Sequence, residues 1–268
     1  MAIISLQSSA SALSALNTAM DVTANNLANV NTAGFKSSRA NFQDLLYLEK
    51  AQPGVRNAND DERPTGLFVG LGTKVSGTQI NLENGSPIKG NKYDLFIEGN
   101  GFFRVSVPDA LGEGAVAYTR SGQFVLNSDG ELVMANDQGR RLDPPITITG
   151  DVLDVQVDAN GHVLVQRPGQ AEPEDVGQIQ LSTFVNPVGL KPIGENLYVR
   201  SPASGPAIEG NPGEQAFGQI LSGYYESSNV DPTRELIDLI RIQRAFEMNS
   251  NTIRAADDTL RAVAQLRR

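Results

Sequence analysis

Cysteine is absent from the 268-residue chain, and histidine occurs once, as His162. Without thiols the fold cannot depend on disulfides or on cysteine-bound metals. A single histidine excludes a Ser-His-Asp triad and a two-histidine metal site built by one copy of the chain. Because His162 directly follows a turn glycine, the sequence predicts that it is a strand residue of a hairpin and has no catalytic role.

Long hydrophobic runs are missing too. No stretch reaches the roughly 18 apolar residues that cross a bilayer, so we expect no membrane insertion. Residues 1–16 lack the basic start and the cleavage site of a secretory signal, and we expect no cleaved signal peptide. The net charge of -9 disfavours nucleic acid as a partner, because binding to phosphates depends on Lys and Arg.

Motifs for phosphate, metal or hydrolytic chemistry are also lacking. The glycines of residues 66–77 and 99–101 do not follow the P-loop or dinucleotide pattern. The acidic run 60–62 lacks the spaced ligands of a calcium loop and is interpreted as a solvated loop. Asp129 and Asp158 could contribute to a carboxylate pair, but both hold turn positions that Asp fills for backbone reasons. We predict no catalytic residues, no cofactor and no metal site.

What is present is a helical pattern at the N-terminal end. Residues 2–30 contain neither Gly nor Pro. Apolar side chains recur there every seven residues, the spacing of one helix face, at Leu6, Leu13, Met20 and Leu27. Gly34 is the expected stop of this helix, because glycine tolerates the left-handed conformation that ends many helices.

The C-terminal end shows a second helical pattern. Asp231-Pro232 marks its start, since Asp can cap free backbone N–H groups and Pro fits the first helical turn. Two rows at heptad spacing follow: Leu239, Phe246, Ile253 and Leu260, then Ile242, Ala256 and Val263, with Asn249 interrupting the second. Each stripe needs another helix to cover it, and the simplest partner is the other end of the chain.

The middle of the chain carries period-two alternation and turn chemistry. Asp-Gly and Asn-Gly turns predict hairpins from 123–126 to 131–134 and from 155–157 to 162–165. A third hairpin is predicted from 93–97 to 102–105, and further strands at 179–184 and 196–200. Segments 52–66 and 201–213 are rich in Pro, Gly and polar residues and are interpreted as hinges.

These patterns predict a mixed α and β fold in which the N- and C-terminal helices pair as a coiled-coil stem and a β-rich central body is built of hairpins. The expected domains are an N-terminal helical segment 1–46, an extended loop or linker with β segments 47–90, a β-rich domain 91–200, a returning linker 201–228 and a C-terminal helix 229–268.

Asparagine is concentrated at the end of the first helical pattern. Its amide competes for backbone hydrogen bonds, so Asn25, Asn26, Asn29 and Asn31 are costly in an isolated helix. Such amides can instead bond across a helix–helix interface and fix its register. The segment 20–36 closely resembles the N-terminal signature of the flagellar basal-body rod and hook family, which has the form NNLANVNTxGFK.

The family's C-terminal signature has a counterpart in residues 227–231, 235–237 and 242–250. Further similar segments are 41–47, 99–103, 118–122 and 193–198. The resemblance implies an assembly interface at Met20, Asn25, Asn26, Leu27, Asn29, Val30, Gly34, Phe35, Ser228, Asn229, Val230, Leu239, Ile242, Gln243, Arg244, Ala245, Phe246, Asn249, Ile253 and Leu260.

Segment 47–66 resembles an insertion that, within this family, accompanies a straight and stiff tube. The residues that carry this resemblance are Tyr47, Gln52, Pro53, Gly54, Pro64 and Gly66. The segment departs from the familiar pattern at residues 59–63, which are mostly charged where other members have Ser, Thr and Gln. The charged residues bear on which lateral contacts this loop makes and less on whether the insertion is present.

The resemblance implies a helical homopolymer that transmits torque, with further contacts to proximal rod and hook subunits, a hook–rod adaptor and surrounding ring proteins. It also implies passage through the flagellar type III export apparatus and a place in the rod that spans the periplasm. Hook or proximal rod subunits share both terminal motifs and remain an alternative. A cell-wall carbohydrate-binding or hydrolytic β-domain is the remote one.

Overall fold

The computed structural model describes residues 2–55, 62–111, 113–169, 172–214 and 216–266. Two long helices lie at the ends of the chain: α1 spans Ala2–Ala28 and α2 spans Pro232–Leu266. The chain divides into two compact units. Unit 1 comprises residues 1–28, 38–80 and 231–268, and unit 2 comprises residues 29–37 and 81–230.

Unit 1 combines the two helices with a long β-ribbon. Its strands are β1 (Ser38–Asp44), β2 (Tyr47–Ala51), β3 (Leu67–Gly70) and β4 (Thr73–Ile80). β1 pairs with β4 and β2 pairs with β3, both antiparallel and each with one register shift. Backbone bonds Leu45 N–H to Gly72 O, 2.9 Å, and Leu71 N–H to Leu46 O, 3.1 Å, connect the two pairs into one ribbon.

Packing in unit 1 brings α1 against α2 and against β1 and β4. The face of α1 that is buried consists of small and polar side chains: Ser9, Ala15, Ala19, Thr23 and Asn26. The leucines of the heptad row, by contrast, are only half-buried. Small side chains allow close approach to the ribbon, where the Thr73 N–H donates to Ser11 Oγ at 3.2 Å.

The regular secondary structure described in unit 2 is almost entirely β-strand. Its strands are β5 (Pro87–Lys89), β6 (Leu95–Glu98), β7 (Phe102–Ser106), β8 (Val116–Thr119), β9 (Phe124–Leu126), β10 (Leu132–Met134), β11 (Asp154–Val157), β12 (His162–Gln166), β13 (Glu174–Gln178), β14 (Leu181–Thr183), β15 (Lys191–Gly194), β16 (Leu197–Val199), β17 (Ile208–Gly210), β18 (Gln219–Ser222) and β19 (Tyr224–Glu226). Short 3₁₀ turns occur at Glu113–Ala115 and Pro187–Gly189.

The largest sheet of unit 2 has six strands in the order β15-β16-β8-β7-β14-β17. Unit 2 also contains a three-stranded sheet, β11-β12-β13, and three two-stranded pairs: β9–β10, β6–β18 and β5–β19. Inward-facing aliphatic and aromatic residues of these sheets form one hydrophobic core. At its centre Phe103 and Phe124 are fully buried, with ring centroids 5.3 Å apart and edge to face.

Several sequence-based expectations agree with these elements. The fold is mixed α and β, with terminal helices and a β-rich middle. The hairpins at the Asp-Gly and Asn-Gly turns are β9–β10 and β11–β12. Gly130 and Gly161 take positive φ values of 77° and 82°, as the turns require. His162 lies in β12, and β14 and β16 lie within the predicted strands.

The expected hairpin from 93–97 to 102–105 is wrong. β6 pairs with β18, whereas β7 pairs with β8 and β14, so the two strands belong to different sheets. Gly99 and Gly101, with φ values of 113° and 140°, let the chain leave one sheet and enter the other.

The helix stop was also misplaced, since α1 ends at Ala28, well before Gly34. Segment 52–66 is no hinge between a stem and a body. As far as the structure describes it, it continues the β2–β3 pairing within unit 1, through the Gly54 N–H to Arg63 O bond of 2.8 Å. The acidic run 60–62 lies largely outside the described residues. The predicted returning linker 201–228 contains β17, β18 and β19 of unit 2.

Candidate assembly interface

Asn26 connects three elements of unit 1. Its amide Nδ2 donates to the Ser38 carbonyl at 2.7 Å and to Glu235 Oε1 at 3.0 Å, and its Oδ1 accepts from the Ser38 N–H at 2.9 Å. Ser38 begins β1 and Glu235 lies in the first turn of α2. The side chain is 2% exposed, so these bonds replace those that water would make. One asparagine of the N-terminal signature therefore bonds across the helix–helix contact.

Glu235 is the partner of Asn26 on α2. Burial raises the pKa of its carboxyl, and the hydrogen bond from Asn26 opposes that rise. The first turn of α2 is capped by Asp231, whose Oδ1 accepts from the Thr233 and Arg234 N–H groups at 2.9 and 3.3 Å. The predicted helix start at Asp231-Pro232 is confirmed.

Within unit 2, a buried charge cluster joins the last residue of the N-terminal signature to a residue just before the C-terminal one. Lys36 Nζ lies 2.7 Å from Glu226 Oε1, with both side chains at most 1% exposed. Lys36 also donates to the Glu83 carbonyl at 2.7 Å, and the Gly85 N–H donates to Glu226 Oε1 at 2.8 Å. Arg120 Nη1 stands 3.8 Å from Glu226 Oε2. One carboxylate is thus shared between two cations.

Burial dominates the electrostatics of this cluster. It lowers the pKa of the Lys36 ammonium, against the attraction of Glu226, and it lowers the pKa of the Arg120 guanidinium. It also raises the pKa of Tyr198 to about 12, with Glu226 adding to the rise. Arg120 Nη2 donates to the Gly99 carbonyl at 2.7 Å, and its guanidinium carbon stands 5.3 Å from the Phe102 ring centroid. We call this cluster the unit 2 lock, because its contacts join distant segments of the unit.

Asn229 connects the segment after the N-terminal signature to residues 81–83, through hydrogen bonds to backbone groups. Its Oδ1 accepts from the Ser37 N–H at 2.8 Å, and its Nδ2 donates to the carbonyls of Asn81 and Glu83 at 2.9 and 3.0 Å. Its own N–H donates to the Phe35 carbonyl at 3.4 Å. Asparagine suits this position because its side-chain amide offers two N–H donors and one acceptor oxygen, and all of them are used here.

Gly34 stands beside this cluster in unit 2. Its N–H donates to the Glu226 carbonyl at 2.8 Å, and its φ is 69°. A Cβ at this position would come within 2.5 Å of the Ser121 backbone nitrogen. The glycine is therefore required by both a left-handed backbone and a close approach, although it does not end α1.

The other candidate residues of α2 fall on two sides of the helix. Leu239, Ile242, Ala245, Phe246, Asn249 and Ile253 are half-buried, whereas Gln243, Arg244 and Leu260 are exposed. On and near α1, Met20, Leu27, Asn29 and Val30 are half-buried and Asn25 is exposed. In unit 2, Phe35 and Ser228 are half-buried and Val230 is buried. In the insertion, Tyr47, Gln52, Pro53, Gly54 and Pro64 are exposed and Gly66 is half-buried.

Large exposed hydrophobic residues are concentrated on unit 1. They occupy the ribbon and α2: Phe42, Leu46, Tyr47, Leu48, Val55, Leu67, Phe68, Leu236, Ile237, Ile240, Met248 and Leu260. Monomeric proteins rarely expose so many in one region, and such surfaces mark interaction sites. Formal acidic and basic charges balance in unit 1, so the net charge of -9 is carried by unit 2.

Sequence reasoning missed Glu226, Arg120 and Lys36 as a cluster. Lys36 lies inside the quoted signature, but Glu226 ends a short strand of aromatic residues and Arg120 follows β8, so no local pattern marks either as buried. Only the pairing of strands that are distant in sequence brings them together.

The single histidine is paired with a carboxylate. His162 Nδ1, at the start of the central strand β12, stands 2.9 Å from Asp175 Oδ2, and both side chains are partly exposed. Within the described part of the chain, no three His, Asp or Glu side chains are grouped as metal ligands. Among the same residues, neither helix is apolar enough over its length to cross a membrane.

Comparison with known protein families gives three matches along the chain. Residues 6–36 match "Flagella basal body rod protein", residues 96–165 match "Flagellar hook protein FlgE/F/G D1 domain", and residues 221–266 match "Flagellar basal body rod FlgEFG protein C-terminal". The first and last ranges contain the two terminal signatures, and the middle range covers β6 to most of β12.

Curated relatives match over almost the whole length. The chain is 42% identical to "Flagellar basal-body rod protein FlgG" of Caulobacter vibrioides, over 98% of each chain. It is 36% identical to the protein of the same description in Bacillus subtilis, over 98% of this chain and 99% of that one. "Flagellar basal-body rod protein FlgF" of Caulobacter vibrioides is 34% identical, over 85% of this chain and 83% of that protein.

Fold, site and matches define a class of structural subunits. The chain belongs to the flagellar basal-body rod and hook protein family. It is a structural protein and not an enzyme.

Proposed function

We propose that copies of this chain polymerise into the distal rod of the bacterial flagellum, a straight shaft that transmits torque from the motor to the hook. The proposal rests on family membership and on the FlgG description of full-length relatives. In Caulobacter vibrioides the FlgG relative is more similar to this chain than the FlgF relative, which favours the distal rod over another rod position.

The observation that carries polymerisation is the surface of unit 1. Both ends of the chain build this unit, and its exposed hydrophobic residues have no cover in a single copy. Its balanced charge puts no net electrostatic repulsion between copies that pack through it. Contacts between different faces of identical subunits generate a helical filament when they do not close into a ring.

Pairing of α1 with α2 as a coiled coil is part of this proposal. The helices are in contact along unit 1, and the half-buried residues Leu239, Ile242, Phe246 and Ile253 follow heptad spacing. Half-burial leaves room for helices of neighbouring copies to complete the packing. In the rod, the assembly interface would comprise the two signatures and these α2 residues.

Segment 47–66 is proposed to keep the tube straight. It starts in β2 and belongs to a ribbon that exposes Tyr47, Leu48 and Phe68. A two-stranded ribbon is marginally stable alone, so neighbouring subunits would hold it in place. A hook or proximal rod subunit would not depend on this contact.

The family resemblance supports the other expected protein partners and the export of the chain through the flagellar apparatus. Proximal rod and hook subunits, the hook–rod adaptor and the ring proteins would contact the rod as it spans the periplasm. The chain would reach its place through the flagellar type III export apparatus, without a cleaved signal peptide.

Deletion of residues 2–35 tests polymerisation in cells that carry this chain as their only copy. We expect no rods beyond the proximal segment and no motility, because α1 and the N-terminal signature are lost. The matched variant lacks residues 52–66 only, and here we expect rods that form but lose straightness. Normal motility after the first deletion would overturn the proposal; straight rods after the second would favour a hook or proximal rod subunit.

A further inference from the structure

The chain passes between the two units four times, at residues 28–29, 37–38, 80–81 and 230–231. The last three of these connections leave unit 2 from residues that are hydrogen-bonded to one another. The Asn81 N–H donates to the Ser37 carbonyl at 2.8 Å, and Asn229, beside the last connection, bonds to both segments. We call three segments of unit 2 the connection cluster: 34–37, 81–85 and 226–230.

The first connection, at 28–29, leads into the same cluster. It enters the segment that ends at Ser37, and the Gly34 N–H of that segment donates to the Glu226 carbonyl at 2.8 Å. Lys36 Nζ and the Gly85 N–H both donate to Glu226 Oε1, at 2.7 and 2.8 Å. Every covalent path from unit 1 into the core of unit 2 therefore runs through three segments that are bonded side by side.

Asn229 holds the connection to α2 against the other two segments. Its Oδ1 accepts from the Ser37 N–H at 2.8 Å, and its Nδ2 donates to the carbonyls of Asn81 and Glu83 at 2.9 and 3.0 Å. Ser37 and Asn81 would stay paired without it, because they continue the register of β1 and β4. The backbone N–H of Asn229 makes a longer bond, 3.4 Å, to the Phe35 carbonyl. The short side-chain bonds are therefore the main tie at this end of the cluster.

Hydrogen bonds share a load when they are stretched together, and they fail one at a time when they open in sequence. A force on α2 reaches unit 2 along the chain at residues 230–231. With Asn229 in place, that force acts on all three segments of the connection cluster at once. Without this side chain, segment 226–230 would open first and separately from the rest of the unit. An ionised Asp could not replace it, since a carboxylate offers acceptors only and would face two carbonyls.

We propose that Asn229 is a positioning residue that distributes load on α2 over the connection cluster of unit 2. This role rests on the proposed distal rod, because a shaft that transmits torque loads its subunits continuously. It differs from a contribution to stability alone, since it predicts a defect that grows with load. Asn211 provides the matched control: its Nδ2 donates to Glu214 Oε1 at 3.0 Å within unit 2, away from the residues where the chain passes between the units.

Single-molecule pulling of the full chain tests this role without rods. Because the chain has no cysteine, two introduced thiols can carry the handles. Arg234→Cys places one at the start of α2, and Lys191→Cys places the other on the edge strand β15 of unit 2. In this background we expect Asn229→Ala to lower the force of the first opening event, whereas Asn211→Ala should leave it unchanged. Equal first forces in the two variants would overturn the assignment.

Cells that carry the chain as their only copy test the same role in the assembled shaft. Bead assays measure rotation at low load with small beads and at high load with large ones. We expect Asn229→Ala motors to turn normally at low load and to stop or break several-fold more often than Asn211→Ala motors at high load. A defect of the same size at both loads, or none at either, would overturn the role of Asn229 and leave polymerisation standing. Absence of rods in cells with the unaltered chain would overturn the proposed function itself, and the pulling result would still decide the role of Asn229.

Discussion

The two units bury their hydrophobic residues very differently. Among the described residues, unit 1 has only Ala15 and Ala19 as buried hydrophobic side chains, whereas unit 2 holds the whole aliphatic and aromatic core. Unit 1 exposes large apolar side chains on its ribbon and on α2 instead. A core of this kind lets unit 2 fold as a single copy, while unit 1 has little that stabilises it alone.

Charge divides the units in the same way. Unit 2 carries the net charge of -9, and unit 1 is balanced. Copies therefore repel through unit 2 and can approach through unit 1. Stability and, in the proposed rod, assembly are therefore assigned to different parts of the chain.

The largest loss is expected from Glu226→Gln in unit 2. The substitution leaves Lys36 and Arg120 as buried cations without a carboxylate, and breaking a buried pair in this way costs about 3–5 kcal/mol. Urea unfolding of the purified chain measures the loss. Adding Lys36→Met should restore a large part of it, because one unpaired cation is then removed. A loss below about 1 kcal/mol would show that the lock contributes little to unit 2.

Asn26→Ala should cost about 2 kcal/mol and act on unit 1. It leaves the Ser38 N–H and carbonyl without their side-chain partner and separates Glu235 from α1. Asn17→Ala is the control, since it makes the same change of helix propensity at an exposed position of α1. Helix content followed by circular dichroism during unfolding distinguishes the two. If both variants lost the same unfolding free energy, Asn26 would not be the residue that connects α1 to β1 and α2.

Tyr198 predicts an alkaline weakness of unit 2. Its folded pKa of about 12 lies above the ordinary value of 10.0, so the native state keeps a proton that the unfolded state releases between these values. Stability should therefore fall as pH rises through that window, at a rate approaching about 1.4 kcal/mol per pH unit. Tyr198→Phe should flatten this fall. Unfolding free energies at pH 9 to 11 measure it, and parallel curves would contradict the assignment.

The smallest effect on the single copy is expected from Leu236→Ser with Ile240→Ser. Both side chains are about half exposed, so the unfolding free energy should change by no more than about 0.5 kcal/mol. Rod formation should nevertheless fail, because the exposed apolar side of α2 in unit 1 loses two large hydrophobic side chains. The control pair on unit 2, Leu153→Ser with Val185→Ser, replaces two side chains that are more exposed still and should leave rods intact. If rods formed normally with Leu236→Ser and Ile240→Ser, the proposal that unit 1 carries assembly would be wrong.

Local signals in the sequence were sufficient for the elements that depend on neighbouring residues. Asp231-Pro232 fixed the start of α2, and the Asp-Gly and Asn-Gly turns fixed β9–β10 and β11–β12. The terminal signatures identified the segments that contain Asn26 and Asn229. These features are local, since caps and turns depend on a few adjacent residues.

The remaining features depend on partners far along the chain. β6 pairs with β18 and β5 with β19, and nothing in either strand of a pair specifies the other. The buried face of α1 could not be predicted from its leucines, because the ribbon selects small residues such as Ala15 and Ala19 for close packing. Glu226 was missed for the same reason, since its partners come from three distant segments.

Hydrogen–deuterium exchange of the full chain, compared before and after assembly into rods, tests the central claim most directly. We predict that the amides of α1 and α2 exchange fast in the free chain and become protected in the rod, because neighbouring copies cover unit 1. The amides of the unit 2 core should be protected in both states. Helices that are already fully protected in the free chain, or new protection confined to unit 2, would contradict the account.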